Sequence, residues 1–99
     1  MKAHPIICTA IRSLTRIAFE YEGHQRVVEP YVHGVTTKNV EAVRAIQVAG
    51  TSRSPKPGIG KLWHLDSMRN LRGTDEQFIP SDPNYNPDDS AMLHIHCRV

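Results

Sequence analysis

The fold is decided by residues 16–31, which read RIAFEYEGHQRVVEPY. In the first half of this stretch every second residue is a large apolar one, which is the period-2 pattern of a half-buried β-strand. Glycine at position 23 can supply the positive φ that a tight turn requires, so the pattern predicts a hairpin into a second strand over residues 25–31. Pro30 has no backbone N–H to donate, so this second strand is predicted to lie at a sheet edge or to bend there.

The rest of the chain adds helix and strand signals on both sides of the hairpin. Apolar residues at helical spacing predict a short helix from Pro5 to about Ser13, with the proline acceptable in its first turn. The stretch 40–49 is apolar on both faces, which favours a central strand, and the stretches 61–66 and 93–99 alternate as two further strands. The Asn-Pro-Asp-Asp sequence at 86–89 has the cap, the proline and the first-turn carboxylates of a short helix before the last strand.

These elements predict a mainly β fold. The expected architecture is a five-stranded small barrel of the SH3-like or Sm-like type, with one N-terminal helix and one short helix before the last strand. All 99 residues are expected to form a single domain. Residues 50–60 read GTSRSPKPGIG, have no periodicity, and are predicted to be the most mobile internal segment.

Charge is unevenly distributed along the chain. Residues 38–72 contain seven Lys or Arg against two acidic residues, a balance of +5, whereas residues 73–99 contain one Arg against five acidic residues, a balance of −4. The basic middle predicts an anionic partner, with Arg53, Lys56 and the arginines at 69 and 72 as candidate contacts to a nucleic-acid backbone. The acidic end is either a solvated cap or an intramolecular mimic of that partner, and ordinary solvated faces explain both balances equally well.

The two cysteines, Cys8 and Cys97, lie near opposite ends of the chain. They fit two free thiols in a reducing cytosol, and one bridge that ties the ends of the chain together is the alternative. The apolar stretch near the N-terminus is short and soon interrupted by Arg12, and no apolar run approaches membrane-spanning length. A cytoplasmic protein without a membrane partner is therefore expected.

In their order along the chain, these segments resemble the WYL domain family. Residues 26–30, RVVEP, match the family's R-x-V-E-P stretch. In residues 61–68, KLWHLDSM, the residues at 63, 65, 66 and 68 match a later strand that reads roughly R-x-F-R-L-D-R-I, while its basic places fall on Lys61, His64 and Ser67. The place of the Trp-Tyr-Leu signature falls on residues 41–43, which read Glu-Ala-Val. The resemblance spans roughly residues 5–72.

The resemblance implies a small regulatory module that senses a nucleotide or a single-stranded nucleic acid. Members of the family are usually attached to a DNA-binding helix-turn-helix, and this chain by itself is not expected to act as a transcription factor. The alternative function is that of a structural or interaction protein. In that case the strand edge near Pro30 and the acidic tail would mediate self-association or docking to a larger protein.

Candidate ligand-binding residues come from neighbouring strands and the turn between two of them. An arginine side chain can grip phosphate oxygens in pairs, a lysine acts as a point charge, and a tryptophan offers a surface for base stacking. For the tryptophan a place in the core is the alternative, and for the tyrosine and one histidine an ordinary place in a strand is the alternative. The predicted ligand-binding residues are Lys38, Arg44, Lys61, His64, Tyr31, His33 and Trp63.

Catalysis and metal binding have less support in the sequence. Neither cysteine has an activating cluster nearby in sequence, and no glycine-rich phosphate loop with a Lys-Ser/Thr ending occurs, so neither an enzyme nor a cofactor is expected. His94 and His96 share one face of the last strand and could chelate zinc or copper, with His4 or Asp66 as a third ligand. Two ligands do not make a site, so no metal site is predicted.

Overall fold

The structure is a computed structural model, and it describes residues 3–50, 60–83 and 85–99. Residues 51–59, which include Arg53 and Lys56, lie outside the described residues. They make up most of the segment that is predicted to be a mobile loop. The described part is mainly β, and its single α-helix precedes the strands, as predicted. The elements are α1 (Pro5–Ser13), β1 (Thr15–Tyr21), β2 (His24–Thr36), β3 (Glu41–Gly50), β4 (Gly60–His64), a 3₁₀ turn (Leu65–Ser67), β5 (Met68–Gln77) and β6 (Met92–Arg98).

The predicted hairpin is confirmed. β1 and β2 are antiparallel, with Ile17 opposite Val28. Glu22 and Gly23 form the two-residue turn between them, with φ values of 54° and 78°. Two consecutive positive φ values are the signature of the type I′ turn, whose twist matches that of the flanking strands.

β2 is bordered on both sides and changes one of its neighbours halfway along. Its first part pairs with β1 up to Val28, and its second part pairs with β6 from Val32 onward, while β3 runs along its other side. Pro30 lies between the two partners, where a residue without an N–H is tolerated. A register shift between Pro30 and Val32 in the β2–β3 pairing marks the predicted bend, and the alternative of an edge strand is wrong.

The prediction of a closed five-stranded barrel is wrong. In the described part of the chain six strands form one antiparallel sheet in the order β4-β3-β2-β1-β5, with β6 also on β2, and the end strands β4 and β5 do not pair with each other. The additional strand is β5, which pairs with β1. All ten residues of β5 are exposed or half-buried, so the strand has no apolar alternation by which the sequence could reveal it.

The predicted helix at 86–89 is also wrong, because these residues form turns. The Asn86 side chain does accept the backbone N–H of Asp88 at 3.0 Å, as a cap would. However, the N–H of Met92 bonds to the carbonyl of Asp89 at 3.0 Å, and β6 begins at Met92. Too few residues separate the cap from the strand for a helical turn to propagate.

Helix α1 covers one face of the sheet. The His4 side chain caps its first turn by accepting the N–H of Ile6 at 3.3 Å, and Leu14 ends it with φ of 54°. Its buried face packs on a cluster built largely from β1 to β4, which includes Phe19, Val43 and Trp63. In the described part of the chain, no helix is long and apolar enough to cross a membrane.

A second apolar cluster lies on the other face of the sheet. It comprises Tyr31, Val32, Ile46, Phe78 and Met92. Because successive residues of a strand point to opposite faces, β3 contributes Val43 to the cluster under α1 and Ile46 to the second one. β3 is therefore covered on both faces and lies between β2 and β4, which confirms the predicted central strand.

Cys8 and Cys97 form a disulfide, which is the bridge that the sequence left as the alternative to two free thiols. The bond joins α1 to β6 across 89 positions of sequence, so it fixes the two ends of the described chain to each other. Closing a long loop restricts the unfolded chain more than closing a short one.

We expect that Gly34→Ala destabilises the fold, because a Cβ on Gly34 would overlap the carbonyl oxygen of His94 in β6. Overpacking of this kind costs about 1–3 kcal/mol, which a denaturant titration of the variant resolves. Gly73→Ala is the matched control, since a Cβ there meets nothing within 4 Å. Equal unfolding midpoints for the two variants would contradict the close approach of β6 to β2.

Loss of the disulfide is expected to lower the free energy of unfolding by about 4–5 kcal/mol in the chain-entropy model for a loop of this length. The measurement compares urea unfolding of the oxidised chain with that of a Cys8→Ala, Cys97→Ala double variant. The unmutated chain in the presence of a thiol reductant is the control. It loses the disulfide but keeps the cysteine side chains, so it separates the effect of the bond from the effect of the lost side-chain packing. If the reductant leaves the midpoint unchanged, the bridge does not stabilise the fold.

Candidate functional site

A cavity of about 370 Å³ opens on the face of the sheet opposite to α1. β2 contributes Tyr31 to its wall, β3 contributes Arg44, and the turns before β6 close it from above. Cavities that hold small molecules start at about this volume. The residues that line it include Tyr31, Arg44, Gly60, Asp82, Tyr85 and Asp89.

The guanidinium of Arg44 is engaged by a carboxylate at the wall of this cavity. Its Nε donates to Oδ2 of Asp89 at 2.8 Å and its Nη2 donates to Oδ1 of the same residue at 3.3 Å. Two parallel N–H···O contacts are the geometry in which arginine recognises carboxylates and phosphates. Nη1 also donates to the carbonyl of Gly60 at 3.4 Å, which directs the side chain across β4.

Asp89 is held in place from its own side as well. Its Oδ1 accepts the N–H of Ala91 at 3.0 Å. The hydrogen bond from Arg44 lowers the pKa of the Asp89 carboxyl, more strongly than burial raises it. A carboxylate from the acidic segment 73–99 therefore occupies the position at the Arg44 guanidinium that an anionic ligand would take. This arrangement is what the mimic hypothesis describes.

The aromatic part of the cavity wall is fixed by hydrogen bonds. The hydroxyl of Tyr31 accepts the N–H of Ser81 at 3.0 Å, and the hydroxyl of Tyr85 donates to the carbonyl of Val99 at 2.9 Å. The two rings lie 5.3 Å apart, and burial raises the pKa of Tyr85. Because Tyr31 is only 2 % exposed, it shapes the cavity and does not offer a free ring face.

Among the residues that the structure describes, the charged lining of the cavity is not basic. One guanidinium, from Arg44, faces two carboxylates, from Asp82 and Asp89, so the formal charge of this lining is +1 − 2 = −1. The charges of the described lining disfavour a polyphosphate at short range.

Lys61 does not join Arg44, contrary to the prediction that the two charges converge. Residues directly opposite on paired strands share a face, and here Arg44 is opposite Leu62 while Lys61 is opposite Ala45. Lys61 therefore points to the other face, where its Nζ lies 4.7 Å from the ring centre of Trp63. The apolar alternation within each strand does not determine how neighbouring strands pair. Whether Arg44 and Lys61 converge depends on that pairing register.

Trp63 lies in the core, which was the alternative to a stacking role. Its side chain is 1 % exposed, its Nε1 donates to the carbonyl of Ala45 at 3.1 Å, and its ring packs edge-on against Phe19 and Tyr21. No ring face is left for a base. Of the other predicted residues, Lys38 lies in the turn after β2 and His64 at the end of β4, and both are exposed residues that do not line the described cavity.

His33 faces away from the cavity, although the sequence places it two residues after Tyr31. The bulge in β2 breaks the alternation, so that the consecutive residues Tyr31 and Val32 both belong to the second cluster. Beyond the bulge His33 is opposite Val43, which faces α1. Its Nε2 accepts the N–H of His4 at 3.0 Å, its Nδ1 donates to the carbonyl of Ala42 at 2.8 Å, and burial lowers its pKa.

The charged residues of the R-x-V-E-P stretch have structural partners. Arg26 is 4 % exposed and donates to the carbonyl of Tyr21 at 3.2 Å and to the side chain of Gln47 at 3.1 Å. Glu29 forms an ion pair with Arg16 at 3.1 Å. Both side chains thus stabilise the hairpin and the strands beside it.

Comparison of the chain with protein-family models, with curated proteins and with solved structures finds no match. The resemblance to the WYL domain family is neither supported nor contradicted by these comparisons, and it stays a prediction.

Apart from Arg44 and Tyr31, most residues of the cavity wall were not predicted from the sequence. Asp82, Tyr85 and Asp89 come from a segment without strand or helix periodicity, so nothing in their spacing places them beside β3. The opposite charge of the segment was the available signal. A basic middle and an acidic end of one small domain are expected to meet.

Asp89→Asn is expected to make the chain less sensitive to acid. Because the folded-state pKa of Asp89 lies below the ordinary value of 3.8, the carboxylate stabilises the fold above that value and this contribution is lost as pH falls through the folded pKa. The free energy of unfolding of the variant should therefore differ most from the unmutated chain near neutral pH, and the difference should shrink below about pH 4.

Denaturant titrations at several pH values measure this difference. Asp88→Asn is the matched control, because that carboxylate is adjacent in sequence and its side chain is 88 % exposed. A difference for Asp89→Asn that stays constant down to about pH 2 would show that Arg44 does not hold the carboxylate in its charged form.

Proposed function

We propose that this chain is a small binding module whose cavity beside Arg44 takes a small anionic ligand, with a nucleoside monophosphate as the ligand class that fits best. One observation carries the proposal. The fork of Arg44 is set at the cavity wall to hold two oxygens of one anionic group, and the carboxylate of Asp89 now holds that place. A regulatory, ligand-sensing role of this kind is also what the resemblance to the WYL family implies.

The size and charge of the cavity favour a ligand with a single anionic group. A volume of about 370 Å³ is enough for a small ring system with one such group, at the lower end of the range for ligand cavities. Asp82 remains in the wall after Asp89 has been displaced, and it disfavours additional phosphates. Carboxylate and amide groups in the wall are suited to accept or donate hydrogen bonds to sugar hydroxyls.

A mononucleotide is favoured over a single-stranded nucleic acid. Strand binding relies on exposed aromatic rings beside a continuous basic groove. Trp63 is buried, and Arg44 and Lys61 face opposite sides of the sheet. Both features support a ligand that is held at one point and does not track across the surface.

Binding is proposed to proceed by exchange of one anion for another. The ligand's anionic group takes the two N–H groups of Arg44, and Asp89 moves toward solvent together with the turn that carries it. Since Arg44 has a partner in both states, neither state leaves a half-buried guanidinium unpaired. Asp89 thereby sets a lower limit on the affinity that a ligand must have.

The finer assignments belong to this proposal. A distant relation to SH3-like or Sm-like barrels and membership of the WYL family are proposed together with the ligand-sensing role. The cytoplasmic location stays a prediction as well, and the Cys8–Cys97 bond is more typical of oxidising compartments.

A second candidate is the interaction protein that was the alternative from the sequence. Ile79 and Leu93 are 84 % and 69 % exposed, and they are the large apolar residues that such a candidate could use for a contact with another protein. The route by the strand edge near Pro30 is not available, because β2 is flanked on both sides in the described structure. Sedimentation at rising protein concentration separates this candidate from a monomeric binding module.

A thermal-shift panel tests the ligand. A nucleoside monophosphate at about 100 times its dissociation constant should stabilise the fold by about 2.7 kcal/mol, whereas the matching triphosphate should act less strongly. Arg44→Lys keeps the charge but loses the fork, so it should weaken binding about tenfold or more. Asp89→Asn removes the competing charge and should strengthen binding.

Lys61→Ala is the matched control, because this lysine faces the other side of the sheet and should leave the affinity unchanged. Single-stranded oligonucleotides are included in the panel. A shift by oligonucleotides that depends on Lys61, or equal binding by the unmutated chain and Arg44→Lys, would contradict the proposed cavity. If no anion shifts the transition, the interaction-protein candidate takes its place.

A further inference from the structure

Three metal-binding side chains meet on the face of the sheet that α1 covers. They are His33 on β2, Glu41 at the start of β3 and His96 on β6, and one ligand atom from each lies within 4.8 Å of the other two. This cluster is separate from the Arg44 cavity. It exists because β2 lies between β3 and β6 in this part of the sheet.

We propose that His33, Glu41 and His96 form a binding site for a divalent transition-metal ion, with zinc as the ion whose ligand preferences the set matches best. Two imidazoles and one carboxylate are a ligand set that zinc accepts in proteins, and three protein ligands leave one position for water or another group. The sequence suggested His94 and His96 as the pair. The structure instead joins His96 to residues of two neighbouring strands.

The spacing between His96 and Glu41 is already close to that of two ligands on one metal ion. Nε2 of His96 lies 2.9 Å from Oε1 and 3.2 Å from Oε2 of Glu41. Zinc bonds of about 2.0–2.1 Å place two ligand atoms of a tetrahedral site about 3.3 Å apart. The third ligand, at no more than 4.8 Å, requires a side-chain adjustment of about 1.5 Å or less.

The contact between His96 and Glu41 already brings two ligand atoms together. An ionised carboxylate only accepts hydrogen bonds, so at 2.9 Å the Nε2 of His96 is the donor and carries the hydrogen. A divalent ion bonded to both groups takes the place of this hydrogen, which moves to Nδ1 of the ring or to solvent. Acid adds protons to ligand atoms of this kind and therefore weakens metal binding.

His33 is oriented in the way that histidine ligands usually are. Its Nδ1–H donates to the backbone carbonyl of Ala42 at 2.8 Å, which fixes the ring and leaves Nε2 as the atom with a free electron pair. Nε2 now accepts the N–H of His4 at 3.0 Å, and a metal ion would replace this donor. The ring is fully buried, so its neutral form, which metals require, is the favoured one.

The surroundings provide support and access. The Cys8–Cys97 bond fixes β6 to α1 at the residue that follows His96. The side chain of Glu41 is 18 % exposed, which gives an ion a path from solvent. The ring of His94 lies 5.1 Å from that of His96 on the exposed side, outside the three-residue cluster.

Isothermal titration with zinc chloride tests the site on the oxidised, untagged chain, because a polyhistidine tag or a thiol reductant would itself bind the ion. One zinc ion per chain is expected, with an affinity that falls about tenfold or more in Glu41→Gln and in His96→Asn. Cobalt(II) supplies a second readout. Its visible absorption should become that of a four-coordinate ion on binding and should be lost in both variants.

His64→Ala is the matched control, because this exposed histidine at the end of β4 lies outside the cluster. His94→Ala should weaken binding less than His96→Asn. Circular dichroism establishes that each variant is folded. Absence of stoichiometric zinc binding by the unmutated chain would overturn the proposal, as would binding that survives both Glu41→Gln and His96→Asn or that is lost in His64→Ala.

Discussion

The change of neighbour along β2 is the constraint on which the rest of the structure depends. A strand of thirteen residues pairs with β1 in its first part and with β6 in its second part, while β3 follows it along the other side. Pro30 lies at the changeover, between the residues that pair with β1 and those that pair with β6. At the adjoining bulge β2 bends, and each half of the strand covers a different part of the core.

The same bulge creates two separate polar sites from one strand. Tyr31 and His33 would share a face if the alternation were regular, but Tyr31 lines the cavity beside Arg44 and His33 turns toward α1. One extra residue thus divides the polar chemistry of β2 between the two faces of the sheet. Asp89 from the turns before β6 completes the first site, and His96 from β6 itself completes the second.

The parts of the fold that follow from local periodicity could be predicted from the sequence. The helix from Pro5, the hairpin around Gly23, the central strand and the last strand all have apolar faces whose period is visible. β5 could not be found, because it is a mostly polar strand beside β1 whose residues are all exposed or half-buried. The sequence 86–89 has every local sign of a helix start, yet the hydrogen bond from Arg44 and the beginning of β6 fix it as a turn.

The candidate sites were less predictable because they depend on register and on long-range partners. Arg44 was identified as a charge among apolar neighbours, and it does line a cavity. Lys61 was expected to act together with Arg44, which requires a strand register that places both side chains on the same face of the sheet. A register difference of one residue moves a side chain to the other face, and this is the case for Lys61. The contact of His33 with His96 joins positions far apart in sequence, so no spacing rule could have revealed it.

The Arg44–Asp89 pair stabilises the fold and is also the centre of the proposed binding function. The removal of one partner from such a half-buried pair leaves a charge without compensation, which is more unfavourable than the absence of both. A ligand that provides its own anionic group is therefore the one kind of molecule that can release Asp89 without leaving Arg44 unpaired. The turns that carry Asp89 lead directly into β6, which pairs with β2 and carries both Cys97 and His96. In the proposed exchange the displacement of Asp89 is absorbed within residues 85–91, because the strand that follows is fixed to β2 by its hydrogen bonds and to α1 by the disulfide.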